Sequence, residues 1–494
     1  MTKAEAGGLP PEQALDPEDW PAFRKLAHAM LDDMIDYQSG VGERKVWRPI
    51  PPAVRQSLHE PPPRAPQNLG LVYERFRTLV LPYPTGNIHP RFFGWVHGAG
   101  TASGMLAELL AAAMNSNLGG RDHMAVEVER QVVGWWREIF GLPESASGLL
   151  TSGSAMANLT ALAVARAAKA PVDVRQQGVA AAPERLIAYA SSEVHGSVPK
   201  AMGVLGLGEA ALRRVPVDAA LRLDVAALKA AIAADRAAGC RPFCVIATAG
   251  TVKSGAIDDL ATLGALCQAE DLWFHVDGAF GALAILSPRL KPLLEGIEQA
   301  SSLAFDFHKW LNVPYGAGCL LVRDGKAHRQ AFASTESYLG RASRGAAGGG
   351  DWFWDFGIEL SRPFRALKVW FAMKEYGLDR FGRLVEQNCA QAHYLADLVA
   401  ADPHLELLAP VNLNIVCFRY RAGGMTPEAL DAVNQEIILD LHEQGIAVPS
   451  GVAIAGRQGI RAALVNHRTR RADLKALAEA VVRLGAAALG KPAL

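Results

Sequence analysis

Ser302-Leu-Ala-Phe-Asp-Phe-His-Lys-Trp-Leu311 sets one lysine, Lys309, among Leu303, Phe305, Phe307, Trp310 and Leu311. Burying an ammonium in such company costs several kcal/mol unless the group is paired or neutralised. A lysine made partly neutral is a nucleophile ready to form a Schiff base with an aldehyde. A loop lysine whose tip reaches water between two strands would show the same composition, because long side chains carry their charge out to solvent. Motifs upstream bear on the choice.

Thirty-two residues earlier, the apolar run Leu272-Trp-Phe-His-Val-Asp-Gly278 ends in Asp277. It reads as a buried strand whose last residue points out of the carboxyl edge of a sheet, where open α/β sheets bind ligands. A carboxylate there suits a pyridinium nitrogen, as in pyridoxal phosphate acting as an electron sink. An aspartate capping the turn at Gly278 fits equally well. Further upstream, Leu150-Thr-Ser-Gly-Ser-Ala-Met-Ala-Asn-Leu159 places small residues at the start of a strong helix former. Free N–H groups at such a helix start suit a phosphate, although an ordinary Ser-capped helix looks similar. The segment is neither a Walker loop nor a dinucleotide fingerprint. Between these motifs lies Ala190-Ser-Ser-Glu-Val-His195-Gly-Ser-Val-Pro-Lys200. His195 at a strand-to-helix turn could stack on a flat ring and handle protons, or be a lone structural histidine.

Taken in order, phosphate helix, His195, Asp277 and Lys309 resemble the group II pyridoxal-phosphate-dependent amino acid decarboxylases, which include the aromatic-L-amino-acid, tyrosine, histidine and glutamate decarboxylases. Ser302, Lys309, Trp310, Leu311, Tyr315, Ala317, Leu320 and Arg323 match that family's signature. The similarity runs from about residue 20 to about 480 and includes His89-Pro-Arg-Phe-Phe-Gly-Trp95, Glu127-Val-Glu129 and Asn466-His-Arg-Thr469. The resemblance implies the fold type I of pyridoxal-phosphate enzymes, with Lys309 carrying the cofactor and Asp277 facing its pyridine nitrogen. It implies His195 on one face of the ring, Ala279 on the other, and Thr248 near both. Gly153, Ser154 and Ala155 would hold the phosphate, helped by Ser302, and His308 would stand beside the Schiff base. Counting on from the lysine, Tyr338 matches the tyrosine that protonates the substrate carbon after CO2 leaves. The Gly-rich stretch 345–350 after it has the composition of a lid hinge. Relatives that have become oxygen-dependent aldehyde synthases tend to replace this tyrosine or the stacking histidine, and both residues are present here.

The implied reaction is decarboxylation of an L-amino acid, most simply an aromatic one such as tyrosine or dopa, to the amine and CO2. Trp95 matches an aromatic wall position, and Ser361 a position where plant relatives with phenolic substrates use serine. Asn117 and Gly119 replace larger apolar groups of the aromatic decarboxylases, and Val96, His97 and Gly98 also differ. These keep open a polar or acidic substrate such as glutamate, histidine or diaminobutyrate. Trp352, Phe353, Trp354 and Phe356 form an aromatic cluster that fits the substrate site or simple core packing. Ala155 in place of a usual serine, and Ser301 and Gly316 in place of aspartates, are further departures.

The 494 residues carry 50 basic and 50 acidic side chains, a balance that gives no support for nucleic acid or an anionic membrane as partner. The six cysteines lack metal spacing and read as reduced thiols, so no metal is expected and a cytoplasmic location is. No signal-peptide pattern or span long enough for a bilayer appears. Helical and β-rich stretches alternate from about 147 to 325, with strands expected at 185–190, 243–249, 272–277, 302–307 and 317–322, hence an α/β fold with a mostly parallel central sheet flanked by helices. Two more strands, near 413–420 and 460–465, point to a small C-terminal α/β domain. The expected divisions are 1–85, a helical and Pro-rich segment with an extended strap over 49–66; 86–370, the large cofactor-binding domain; and 371–494, the small domain. In the family such an N-terminal segment wraps a second subunit, so a homodimer with active sites at the interface is expected.

Overall fold

The computed structural model describes residues 13–333 and 342–490, and the chain divides into two units. The first, residues 1–44 and 50–82, contains α1 (Trp20–Ser39), α2 (Pro52–Gln56) and α3 (Leu69–Leu79). Asp19 starts α1 by accepting a hydrogen bond from Ala22 N, and Asn68 starts α3 by accepting one from Gly70 N. The Pro-rich strap is not extended throughout. Pro52 opens the short α2, where a missing N–H at the first helical position removes no hydrogen bond. None of the three helices has a fully buried residue, and Leu71, Val72 and Val80 are exposed.

The second unit, residues 45–49 and 83–494, is built on two sheets. Its helices through the first sheet are α4 (Ala102–Met114), α5 (Met124–Ile139), α6 (Ser154–Lys169), α7 (Val174–Gln177), α8 (Ser197–Val204), α9 (Val225–Ala237), α10 (Leu260–Ala269) and α11 (Gly325–Phe332). The strands are β1 (Ser147–Thr151), β2 (Leu186–Ser191), β3 (Leu212–Val215), β4 (Arg241–Thr248), β5 (Trp273–Asp277), β6 (Ser302–Asp306) and β7 (Gly318–Val322). Their spatial order is β1-β7-β6-β5-β4-β2-β3, and only β7 runs against the others. β2, β5, β6 and β7 are buried at every position, which is why they read as continuous apolar runs rather than alternating ones.

After the first sheet comes α12 (Ala366–Ala401), broken at Gly377, whose φ of 69° and ψ of 160° are not helical. The second sheet consists of β8 (Leu405–Leu407), β9 (Ile415–Tyr420), β10 (Ser450–Ile454) and β11 (Arg457–Ala463), antiparallel in the order β10-β11-β9-β8. It is covered by α13 (Pro427–Glu443) and α14 (Arg471–Ala488). The expected division at residue 370 falls inside the first turns of α12, seven residues before its break at Gly377. No described helix is long and apolar enough to cross a membrane. All six cysteines are free thiols.

Candidate active site

Five parallel strands deliver their carboxyl ends to one edge of the large sheet: Thr151, Ser191, Thr248, Asp277 and Asp306. The motifs around Ser154, His195, Asp277 and Lys309 each lie at or just past one of these ends. Phe305 in β6 and Phe307 just past it pack on Trp136 with ring centroids 5.2 and 5.3 Å away, anchoring the turn that presents Lys309. The amides of Phe307 and His308 both donate to Ala317 O, at 2.9 and 3.2 Å, which ties this turn to β7.

Lys309 is paired rather than stranded in an apolar shell. Its Nζ lies 3.2 Å from Asp306 Oδ2, and its side chain retains 21 % exposure. The other carboxylate oxygen, Asp306 Oδ1, accepts from Ser154 N at 2.6 Å. One buried aspartate therefore links the lysine to the first turn of α6. His308 Nε2 stands 3.8 Å from the same carboxylate. Burial first, offset in part by Asp306, pushes the His308 pKa down.

α6 begins without a side-chain cap at Gly153 and has no acidic residue in its first turn. Ser154 Oγ is buried and has no hydrogen-bond partner. Gly153 crosses Gly318 so closely that a Cβ on Gly318 would come within 2.6 Å of the Gly153 Cα. Asp306 takes the Ser154 amide, but close backbone packing and an orphaned Ser154 hydroxyl leave a cup that suits an anion, because such groups are seldom left unsatisfied when buried.

Asp277, 3 % exposed, accepts from Asn158 Nδ2 at 2.9 Å and from Ala279 N at 3.2 Å. Asn158 is the hub of a buried chain of hydrogen bonds. Its Nδ2 also reaches Ser197 Oγ at 3.3 Å, and Ser197 Oγ lies 2.8 Å from His195 Nδ1. The Asn158 Oδ1 lies 3.0 Å from His275 Nε2, His275 Nδ1 lies 2.9 Å from Ser302 Oγ, and Ser302 Oγ accepts from Trp273 Nε1 at 2.8 Å. Only one proton arrangement satisfies all of these contacts. The Asn158 amide donates to Asp277, His275 Nε2–H donates to Asn158, and Ser302 O–H donates to His275 Nδ1. Burial supports this neutral ring by holding the His275 pKa down at about 4.

Thr248 pairs in register with Asp277 across β4 and β5, and its amide donates to Asp258 Oδ2 at 2.7 Å. The structure thus brings Gly153, Ser154, His195, Thr248, Asp277, Ala279, His308 and Lys309 to one edge, with Ala155 following Ser154 in the first turn of α6. Ser302 is a correction. It stands at the other end of β6 from Asp306, and its hydroxyl is taken by Trp273 and His275, so it does not belong to the anion cup. Tyr338 lies outside the described residues.

A second wall comes from residues 92–98. A Cβ on Gly98 would fall 2.0 Å from His308 O and 2.5 Å from Lys309 O, so only glycine lets this segment lie on the lysine turn. His97 stacks on Trp95 at 5.4 Å and on Phe92 at 5.8 Å, and meets the edge of Tyr315, which in turn packs 4.6 Å from His308. Burial, then Lys309 and His308, lower the His97 pKa. Trp352 and Trp354, by contrast, pack against each other, and the Trp352 indole donates to Gly348 O at 2.8 Å. Both are buried, as core packing requires.

The family described as the pyridoxal-dependent decarboxylase conserved domain matches residues 51–421. The chain belongs to this family. An aromatic-L-amino-acid decarboxylase of Bacillus atrophaeus is 34% identical over 472 residues, covering 93% of this chain and 96% of the relative. The aromatic-L-amino-acid decarboxylase of Sus scrofa is 30% identical, covering 83% and 87%. Among solved structures, Oryza sativa TDC with PLP and tryptamine superposes with a TM-score of 0.87 at 27% identity, covering 96% of this chain and 100% of that one. The decarboxylase therefore has the fold type I architecture and uses pyridoxal phosphate. Its own residues fit the cofactor, since the orphaned Ser154 hydroxyl at the start of α6 suits the phosphate and Asp277 offers a carboxylate at the same edge.

The decarboxylase also carries an acid-sensitive set of histidines. Burial holds His275 and His467 down at about 4 and His328 at about 3. Well above pH 6.5 these rings are neutral whether folded or not. As pH falls from there toward 4, the unfolded chain binds three protons that the folded chain refuses, so stability is lost. Asp258, pushed up to about 6 by burial, opposes this, because the folded chain binds its proton first. The balance of about two protons predicts a loss of roughly 2.7 kcal/mol per pH unit between about pH 6 and 4. Urea unfolding midpoints measured from pH 7 to 4.5 check this, and a midpoint that holds steady or rises on acidification rules it out.

Proposed function

We propose that this decarboxylase converts an aromatic L-amino acid of the tyrosine or dopa kind to its amine and CO2, as a cytoplasmic homodimer. The observation that carries the catalytic assignment is the delivery of Asp277 and the Asp306–Lys309 pair to one sheet edge by adjacent strands, beside the unpartnered Ser154 hydroxyl. Support for an aromatic substrate comes from the ring wall of Trp95, His97 and Tyr315 beside the lysine turn, and from the relatives' names. The exposed apolar residues of the N-terminal helices support a second copy of the chain as partner.

Bound pyridoxal phosphate supplies an electron-withdrawing ring that accepts the electron pair of the breaking Cα–carboxylate bond. Lys309 Nζ would tether the cofactor, and the Ser154 hydroxyl with the backbone of residues 153–155 would hold its phosphate. Asp277, kept in place by Asn158, would hold a proton at the pyridine nitrogen. His195, fixed through Ser197, and Ala279 would confine the two ring faces, with Thr248 and His308 alongside. Tyr338 would donate the proton that replaces CO2 on the substrate carbon.

The test is CO2 release by the cofactor-loaded protein against the twenty amino acids plus dopa and 5-hydroxytryptophan, with peroxide followed in parallel. Release confined to aromatic substrates without peroxide is the expected result. Release from glutamate or diaminobutyrate alone would overturn the substrate class, and stoichiometric peroxide would overturn simple decarboxylation. Asp277→Asn should lower kcat about a hundredfold, close to 2.7 kcal/mol, while leaving the circular dichroism unchanged. A loss below fivefold would remove Asp277 from its role.

A further inference from the structure

A cavity of about 570 Å³ lies where the start of α4, the restart of α12 after Gly377 and the turn after β11 converge. It is separate from the Ser154 cup. Thr101, Tyr376, Arg380, Arg383, His467 and Arg470 line it. Arg380 and Arg383 are three apart on the resumed helix and so share a face. Ser103 Oγ lies 3.1 Å from Tyr376 Oη, which pins the start of α4 to the α12 kink. Arg468 stands beside the cavity with Nη1 donating to Ala99 O and Gly100 O.

The charges here are one-sided. Arg380, Arg383, Arg468 and Arg470 form no ion pair among the described residues, whereas many other arginines of the chain do. The side-chain contacts of Arg470 are to the backbone carbonyls of His467 and Thr469, and Arg380 rests over the Tyr376 ring at 5.0 Å. The first turn of α4 carries no acidic residue, so the positive end of that helix adds to the same field. Burial first, then Arg468, Arg470 and Arg380, hold the His467 pKa down, partly offset by its hydrogen bond to Gly100 O, so its ring adds no charge to this group. Like charges gathered around a concave, partly desolvated space focus potential and concentrate counter-ions. Guanidinium forks match the oxygen spacing of carboxylates and phosphates.

We propose that this cavity is a second ligand site, which takes a small multivalent oxyanion bearing phosphate or several carboxylates. Asn312 gives the site a mechanical tie to catalysis. Its side chain accepts from Ala99 N at 3.1 Å and donates to Trp310 O and Val465 O.

The experiment uses protein saturated with pyridoxal phosphate, so that the cofactor's phosphate cup is already filled. Pyrophosphate and citrate are titrated by calorimetry at constant ionic strength, with chloride as the monovalent control. Saturable binding of one anion per chain is expected, and comparison of the two probes distinguishes a phosphate from a carboxylate ligand. Arg380→Gln with Arg383→Gln should weaken it at least about tenfold, and Arg383→Lys, which keeps the charge but not the fork, should fall between the parent and the double variant. Both arginines are exposed at the cavity mouth, and thermal melts of each variant without anion check that folding is intact. Absence of saturable binding, equal effects of chloride, or undiminished binding in the double variant each overturn the proposal. Because the readout is binding, failure here is distinct from failure of the substrate assignment.

Discussion

Lys309→Ala should reduce CO2 release at least about ten-thousandfold, close to 5.5 kcal/mol of transition-state stabilisation. The Lys309 amine stands 3.2 Å from Asp306, at the carboxyl end of the strand next to the one that carries Asp277. Its contacts are also hard to replace, since Asp306 binds Lys309 through one oxygen and Ser154 N through the other. Lys309→Arg should fail as fully, because a guanidinium holds its proton and cannot act as an amine nucleophile. The fold should survive, because the Ser154–Asp306 hydrogen bond and the Ala317 contacts of the turn do not involve the lysine side chain. The decisive readouts are turnover and the cofactor retained after gel filtration under mild acid. Turnover within a hundredfold of the parent would sink the assignment of Lys309.

Arg362→Ala should lower the free energy of unfolding by about 3–5 kcal/mol, the cost of leaving a buried charge alone. The side chains of Arg362 and Glu129 are 1% and 0% exposed and form an ion pair. Arg362 also donates to Leu118 O at 2.9 Å and Leu150 O at 2.7 Å, while Glu129 accepts from Leu150 N at 2.9 Å. Truncating the arginine strands Glu129 inside the protein beside the strand that leads into the anion cup. Weaker cofactor retention should therefore accompany the lost stability. Replacing both partners together, Glu129→Gln with Arg362→Met, should cost less than Arg362→Ala alone, since no charge is then left unpaired. Urea unfolding of the three proteins provides the comparison, and a single-variant loss below 1 kcal/mol, about a fivefold change in the folding constant, would contradict it.

The central strands were legible because burial on both faces leaves a continuous apolar run, and β2, β4, β5, β6 and β7 fall within two residues of their expected positions. β1, β3, β8 and β10, the four edge strands, were not. Leu-Arg-Arg-Val and Ser-Gly-Val-Ala-Ile lie on sheet edges, where one side meets solvent and the apolar signal thins. His195, Asp277 and Lys309 could be read because each follows a strand with its own local pattern. Asp306 stood inside the opening motif, yet its partners, Ser154 N and Lys309, are fixed only by tertiary packing. The same holds for Asn158 and Ser197, whose hydrogen bonds to Asp277 and His195 depend on how α6 crosses the sheet. Ser302 illustrates the opposite error, since a signature serine is drawn into a network by Trp273 and His275. Glu129 was visible as part of a family motif, but its role emerged only with Arg362, 233 positions away.

The close passage of Gly98 over the lysine turn bears on how this decarboxylase can change over time. The groups proposed to face the cofactor follow strands of the large sheet, whereas Trp95 and His97 ride on a separate segment held by Asn312 and the missing side chain of Gly98. On the proposed assignment, heredity can edit the reagent and the recipe independently. Substitutions at Trp95, His97 or Tyr315 would then retune which molecule is accepted without replacing the residues assigned to break the carbon–carbon bond. Gly98 and Asn312 are the fixed bolts of that arrangement, and a directed-evolution library for new substrates should spare those two while saturating the other three.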